Sequence, residues 1–195
     1  MFKAITIWLI LPTHISDLCA EYNHSLWKNG HIWLELGWPY PHISLVQCVL
    51  TDDEIVRVSD DLSTKEISPI NCKDINLHRF VSTGSWSKVT YFNIADASIN
   101  DLHSACMDII EFALNRKSVP SHYIYPDHIS EGQLQYVTNY WEQYAYKNYS
   151  PHITIGKWHL GDNAMLPDFT CTQIWVFHMW PSGSCQTLLH TIDIW

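Results

Sequence analysis

Pro41-His42-Ile43-Ser44-Leu45 recurs 110 positions later as Pro151-His152-Ile153-Thr154-Ile155. Each stretch follows a proline and alternates polar with apolar residues. Residues two apart on a strand share a face. Each stretch therefore predicts a strand with an imidazole and a hydroxyl on one side, His42 with Ser44 and His152 with Thr154. Ile43, Leu45, Ile153 and Ile155 point the other way, into a core. His14-Ile15-Ser16 and His128-Ile129-Ser130 also satisfy a bare H-x-[ST]. The first runs into Asp17 at a helix start and the second into Glu131-Gly132, so neither continues as an alternating strand.

Outward from the first copy, residues 2–11 read as a buried strand rich in Ile and Trp, closed by Pro12. A helix is predicted over residues 16–29, with Ser16 as N-cap and Gly30 as stop. Residues 42–49 form the motif strand, and Thr51-Asp52-Asp53-Glu54 opens an acidic-capped helix. Strands follow at residues 76–83 and 88–94 around a Gly84-Ser85 turn, and helical spacing over 98–115. Residues 117–130 read as irregular and 131–146 as helix. A strand begins near Pro151, and a closing hairpin joins 171–180 to 186–194 across Pro181-Ser182-Gly183. Hairpin-linked strands without strict strand–helix alternation predict an α+β fold on antiparallel sheets.

Composition narrows the function. Hydrophobic residues make up 47% of the 195 and charged residues 16%, as in a packed globular chain. The formal net charge of −9 repels a long polyanion, and Arg116-Lys117 is the one adjacent basic pair, so extended RNA or DNA is a poor partner. The 10 Trp and 10 Tyr mostly fill cores, although such rings also stack on nucleobases. The six cysteines lack CxxC spacing and read as reduced, buried thiols of a cytoplasmic protein. The apolar start superficially mimics a signal peptide, but it is short, Pro12 ends it and no A-x-A-like site follows. Nothing reaches transmembrane length. There is no H-E-x-x-H, no Cys/His quartet at zinc spacing, no G-x-S-x-G and no P-loop.

Two imidazoles and two hydroxyls suit one reaction. Cleaving a phosphodiester requires taking a proton from the attacking oxygen and giving one to the leaving oxygen. Histidine does either near neutrality. The hydroxyls donate to non-bridging oxygens, where charge builds in the transition state. One neutral and one protonated imidazole imply a bell-shaped pH dependence, with an optimum near neutrality.

The doubled motif resembles the signature of the 2H phosphoesterase superfamily, which carries one H-x-[ST] per lobe. That group includes RNA 2′,3′-cyclic phosphodiesterases (once called 2′-5′ RNA ligases), plant-type cyclic phosphodiesterases and 2′-5′ oligoadenylate-cleaving enzymes. The resemblance implies an α+β, bilobal, pseudo-symmetric fold, with two antiparallel sheets flanked by helices around a central cleft. It spans residues 1–195 as one bilobal domain, with an insertion around 117–147. His42 and His152 are the implied catalytic pair, and Ser44 and Thr154 the phosphate-binding hydroxyls. Lys157, where many relatives carry Arg, either touches a phosphate or solvates a strand end. Tyr40 and Tyr149 beside the motifs either stack on substrate or pack in the core. The implied enzyme needs no metal or cofactor and acts as a cytoplasmic monomer, away from membranes. Its partner is a small nucleotide or short RNA with a 2′,3′-cyclic or 2′-5′ phosphodiester. A phosphodiesterase degrading 2′-5′ oligoadenylate or cyclic-oligonucleotide signals is one alternative. A non-catalytic nucleotide sensor or sponge is the other.

Overall fold

The first strand, β1 (Phe2–Ile10), is buried on both faces from Ala4 to Leu9. A strand covered on both sides has no solvent face, so its sequence is a continuous apolar run. In the computed structural model, which describes residues 1–27, 40–80, 89–157, 164–181 and 185–195 (side chains of 27, 79, 80, 157, 185 and 186 aside), β1 lies inside a seven-stranded antiparallel sheet.

The remaining elements are α1 (Thr13–Trp27), β2 (His42–Thr51), α2 (Asp52–Thr64), β3 (Ile70–Cys72), β4 (Ile75–Phe80), β5 (Val89–Ile94) and α3 (Ala97–Ile109). Then come α4 (Glu131–Thr138), α5 (Tyr140–Gln143), β6 (His152–Lys157), β7 (Phe169–Cys171), β8 (Gln173–Met179) and β9 (Cys185–Asp193). The large sheet runs β4-β5-β6-β2-β1-β8-β9, and β3 pairs with β7 in a small second sheet. The architecture is α+β. The two expected sheets are the halves β4-β5-β6 and β2-β1-β8-β9, which meet through the single registered pair Ile43–Ile153.

Local signals account for most boundaries. Thr51 caps α2 through a capping box with Glu54, and Arg116 grips the same Glu54 carboxylate with both guanidinium nitrogens, at 2.5 and 2.7 Å. The first helix begins at Thr13 rather than Ser16, because the Pro12 carbonyl accepts from the N–H groups of Ile15 and Ser16. The helix expected over 98–115 ends at Ile109, and a 3-10 turn over Glu111–Ala113 follows. The one expected over 131–146 breaks at Asn139 (φ −101°, ψ 12°) into α4 and α5. The three-residue strands β3 and β7 were not expected, since three residues are too few to show a period of two. The helix end at 28–29, Gly30, and the turns at Gly84-Ser85 and Ser182-Gly183 lie outside the described residues.

One core packs the helices α1, α2 and α3 against the back of the sheet, through Ile5, Ile7, Leu9, Ile43, Leu45, Phe92, Ile153 and Ile155. A second, smaller core forms on the opposite face, where Tyr123 and Val137 cover Ala4, Trp8, Val49, Phe177 and Met179. Segment 117–149 thereby closes one end of the face that carries the motif hydroxyls. Among the described residues no helix is long and apolar enough to cross a membrane.

Candidate active site

The two lobes repeat the same register. Across β1 and β2, Ile10 faces His42, Leu9 faces Ile43 and Trp8 faces Ser44. Across β5 and β6, Asn93 faces His152, Phe92 faces Ile153 and Tyr91 faces Thr154. Each ladder then skips one residue: Ile7 pairs with Val46 and Thr90 with Gly156, leaving Leu45 and Ile155 as unpaired bulge residues. An antiparallel register centred on Ile43–Ile153 sets His42 opposite Thr154 and Ser44 opposite His152. The four motif side chains therefore form a rectangle on one face, around a pseudo-twofold axis. Sequence spacing predicted each pair; the β2–β6 seam brings the pairs together.

Each imidazole is oriented by the backbone just before it. His42 Nδ1 donates to the Tyr40 carbonyl at 2.6 Å, and His152 Nδ1 donates to the Ser150 carbonyl at 2.7 Å. A carbonyl only accepts, so Nδ1 carries the proton in both neutral rings and Nε2 is left as the basic nitrogen. Trp8 lies flat on His42 (centroids 3.4 Å apart, planes 7° apart), whereas Tyr91 meets His152 edge-on at 5.1 Å. Burial lowers the pKa of His42 to about 4, against the Tyr40 hydrogen bond and with help from the charge of His152. Burial also lowers His152, opposed by its bond to Ser150.

The remaining expected residues separate. Tyr40 is exposed and meets Trp175 edge-on at 5.8 Å, on the face of the rectangle. Tyr149 packs against the main core: its ring stacks on His103 at 3.8 Å, and its hydroxyl donates to the Ser44 carbonyl at 2.9 Å. Its ring thus rests on α3 while its hydroxyl holds the strand that carries Ser44. The backbone of Lys157 pairs with Val89 at the end of β6; its side chain lies outside the described residues. Among the described residues no group of three or more His, Cys, Asp or Glu side chains is placed to hold a metal ion.

Sequence reasoning missed Trp8, Tyr91 and Gln47. The bulge returns Gln47 to the motif face three positions after Ser44, paired with Thr6. Its Oε1 is buried and has no hydrogen-bond partner. The available signal was the match of H-I-S-L-V-Q to H-I-T-I-G-K, which aligns Gln47 with Lys157.

Solved structures with this topology share little sequence. Over 99% of this chain and 98% of the other, apo E. coli LigT superposes with a TM-score of 0.61 at 8% identity. TT0787 of Thermus thermophilus gives 0.60 at 14% identity, over 98% of each chain. The chain has the LigT fold. LigT complexed with 3′-AMP matches at 0.57 and 11% identity, over 100% of this chain and 99% of LigT. No protein-family model matches the sequence, and no curated protein matches it. The matches span nearly the whole of each chain, and identity this low carries the architecture alone.

The histidines set an acid limit on stability. Burial lowers the pKa of His103, His122 and His178 as well as His42 and His152. In the unfolded chain each titrates near 6.5. Below that pH the unfolded chain takes up protons that the folded chain refuses, so stability falls as pH falls through about 6 toward about 4. Calorimetry should show Tm decreasing steadily from about pH 7 to about pH 4.5. A Tm that holds or rises over this range would mean that the rings titrate normally in the fold.

Proposed function

We infer that this protein is a 2H phosphoesterase: a metal-independent phosphodiesterase that cleaves a 2′,3′-cyclic or 2′-5′ ribose-linked phosphodiester in a small nucleotide or RNA end. The observation that carries this reading is the two-fold rectangle of His42, Ser44, His152 and Thr154, with both Nδ1 atoms tied to backbone carbonyls. Simple phosphate binding calls for Arg, Lys or backbone N–H groups. Two imidazoles held with basic Nε2 atoms suit proton transfer instead. LigT has been crystallised with phosphate, 3′-AMP, NADP+ and ATP, which supports a nucleotide as the ligand here.

The pKa shifts divide the roles. His42, neutral above about 4, is the base. It takes a proton from water while the water oxygen attacks phosphorus. His152 protonates the departing ribose oxygen, giving a phosphomonoester and a free hydroxyl. Ser44 and Thr154 donate to the non-bridging oxygens, and Lys157 adds positive charge at the same phosphate. Tyr40 and Trp175 offer ring surface to a base. Segment 117–149, by closing one end of the face, favours a short substrate.

Screening 2′,3′-cyclic mononucleotides, 2′-5′ and 3′-5′ diadenylates and cyclic dinucleotides in EDTA, with chromatography of the products, tests the reading. Turnover of a 2′,3′-cyclic or 2′-5′ substrate is expected. Binding without turnover across the panel would identify a nucleotide sensor instead.

The pH profile follows from the same shifts. kcat/KM reports the free enzyme, where His42 must be neutral and His152 protonated. The acid limb then lies near 4, and the alkaline limb below the ordinary histidine value of about 6.5. The expected optimum is therefore mildly acidic, and kcat should peak at higher pH because a bound phosphate favours protonation. A rate climbing steadily into alkali would remove the acid partner from the mechanism.

A further inference from the structure

The bulge carbonyls of the two catalytic strands are held in the same way. Leu45 and Ile155 are fully buried and fall outside the ladders, so their carbonyls need partners from elsewhere. Asn23 on α1 donates through Nδ2 to the Ile155 carbonyl at 2.7 Å, and His103 on α3 donates through Nδ1 to the Leu45 carbonyl at 2.7 Å. Each donor crosses between lobes: α1 follows β1 yet packs on β6, and α3 follows β5 yet packs on β2. Asn23 and His103 are 4% and 1% exposed, too deep to touch substrate. Gly156 makes room for the first contact, since a Cβ there would stand 3.0 Å from Asn23 Nδ2.

The His103 side is the more elaborate. Its Nε2 accepts from the Tyr146 N–H at 2.9 Å, so only the neutral ring protonated on Nδ1 satisfies both contacts. Tyr140 adds a second donor to the Leu45 carbonyl at 3.0 Å. Tyr149, stacked on His103, holds the neighbouring Ser44 carbonyl.

We propose that His103, with Tyr149, is a positioning residue: by holding the Leu45 and Ser44 carbonyls it fixes the bulge that aims His42 and Ser44 at the reacting phosphate, as Asn23 does for His152 and Thr154. This rests on the phosphodiesterase reading for its kinetic test and on the strand geometry for its structural one. His103 stays neutral and transfers no proton to substrate.

The test compares His103→Leu, His103→Asn and Tyr149→Phe with the wild-type chain, measuring kcat, KM, Tm and amide exchange at Leu45, Val46 and Gln47. Asparagine keeps a donor near the Nδ1 position, as Asn23 does in the other lobe. His103→Leu should lower kcat by roughly 10- to 100-fold, the scale of a small misplacement of catalytic groups, with KM within about threefold of wild type. His103→Asn should recover most of that loss, and Tyr149→Phe should lower kcat several-fold in a folded protein. Exchange at the bulge should quicken in His103→Leu and slow again in His103→Asn. Unchanged kcat and bulge exchange in a folded His103→Leu, or no recovery in a folded His103→Asn, would overturn the proposal. Should His103→Leu fail to fold, Tyr149→Phe decides: wild-type kcat and exchange there overturn it as well. A wild-type chain without turnover would defeat the functional reading alone, and bulge exchange would still judge the positioning role.

Discussion

Replacing His42 or His152 with alanine lowers kcat by about 10²–10⁴-fold in each case, the usual worth of a general acid or base. Each ring supplies one of the two proton transfers in a single transition state, and neither can stand in for the other. The double variant should be scarcely slower than either single one, because residues acting as a unit are not additive. Folding should survive. The strands are anchored on the opposite face by the fully buried Ile43 and Ile153, which the substitutions leave untouched. His42→Asn is a useful companion: it keeps a donor for the Tyr40 carbonyl and a planar group against Trp8, but has nothing in place of Nε2. It should be as slow as His42→Ala. Near-wild-type kcat in any single variant would remove that histidine from the chemistry.

The hydroxyls come next in size. Ser44→Ala and Thr154→Val each remove one donor to a phosphate oxygen on which charge grows, a loss of roughly 10²–10³ in kcat if each acts as an oxyanion-hole donor does. The loss should fall on kcat more than on KM, since the interaction strengthens in the transition state. The Ser44 carbonyl keeps its bond from Tyr149 when the side chain is shortened, so the strand should hold its course. Unchanged kcat in both variants would make the hydroxyls structural. The rectangle would then be reduced to its two imidazoles.

The motif strands were legible because their signal is local. Alternation places His42 with Ser44 and His152 with Thr154 whatever the rest of the chain does. The Thr51–Glu54 capping box was legible for the same reason. The meeting of the two strands at Ile43–Ile153 is a contact across 110 positions that no local pattern encodes, and only the duplicated motif hinted at it. The bulges were hidden, because simple alternation puts Val46 on the face that Gln47 in fact shares with Ser44. Tyr149 shows a second limit. Its place beside His152 left substrate face and core equally open, and the packing of its ring on His103, from a helix 46 positions earlier, is a contact that no local pattern encodes. His103 itself reads in sequence as a polar interruption in the apolar spacing of α3. Its role depends on a carbonyl freed by a bulge on a distant strand.

The central claim, metal-free cleavage of a phosphodiester between His42 and His152, is tested most directly by phosphorus NMR. The chelated protein would be incubated with a mixture of 2′,3′-cyclic AMP and 2′-5′ diadenylate, beside the His42→Ala/His152→Ala variant. The expected result is conversion of at least one substrate to a phosphomonoester in EDTA by the wild-type chain, with none above background by the variant. A wild-type chain that converts neither substrate, a variant that matches it, or activity abolished by EDTA and restored by a divalent ion would contradict the account.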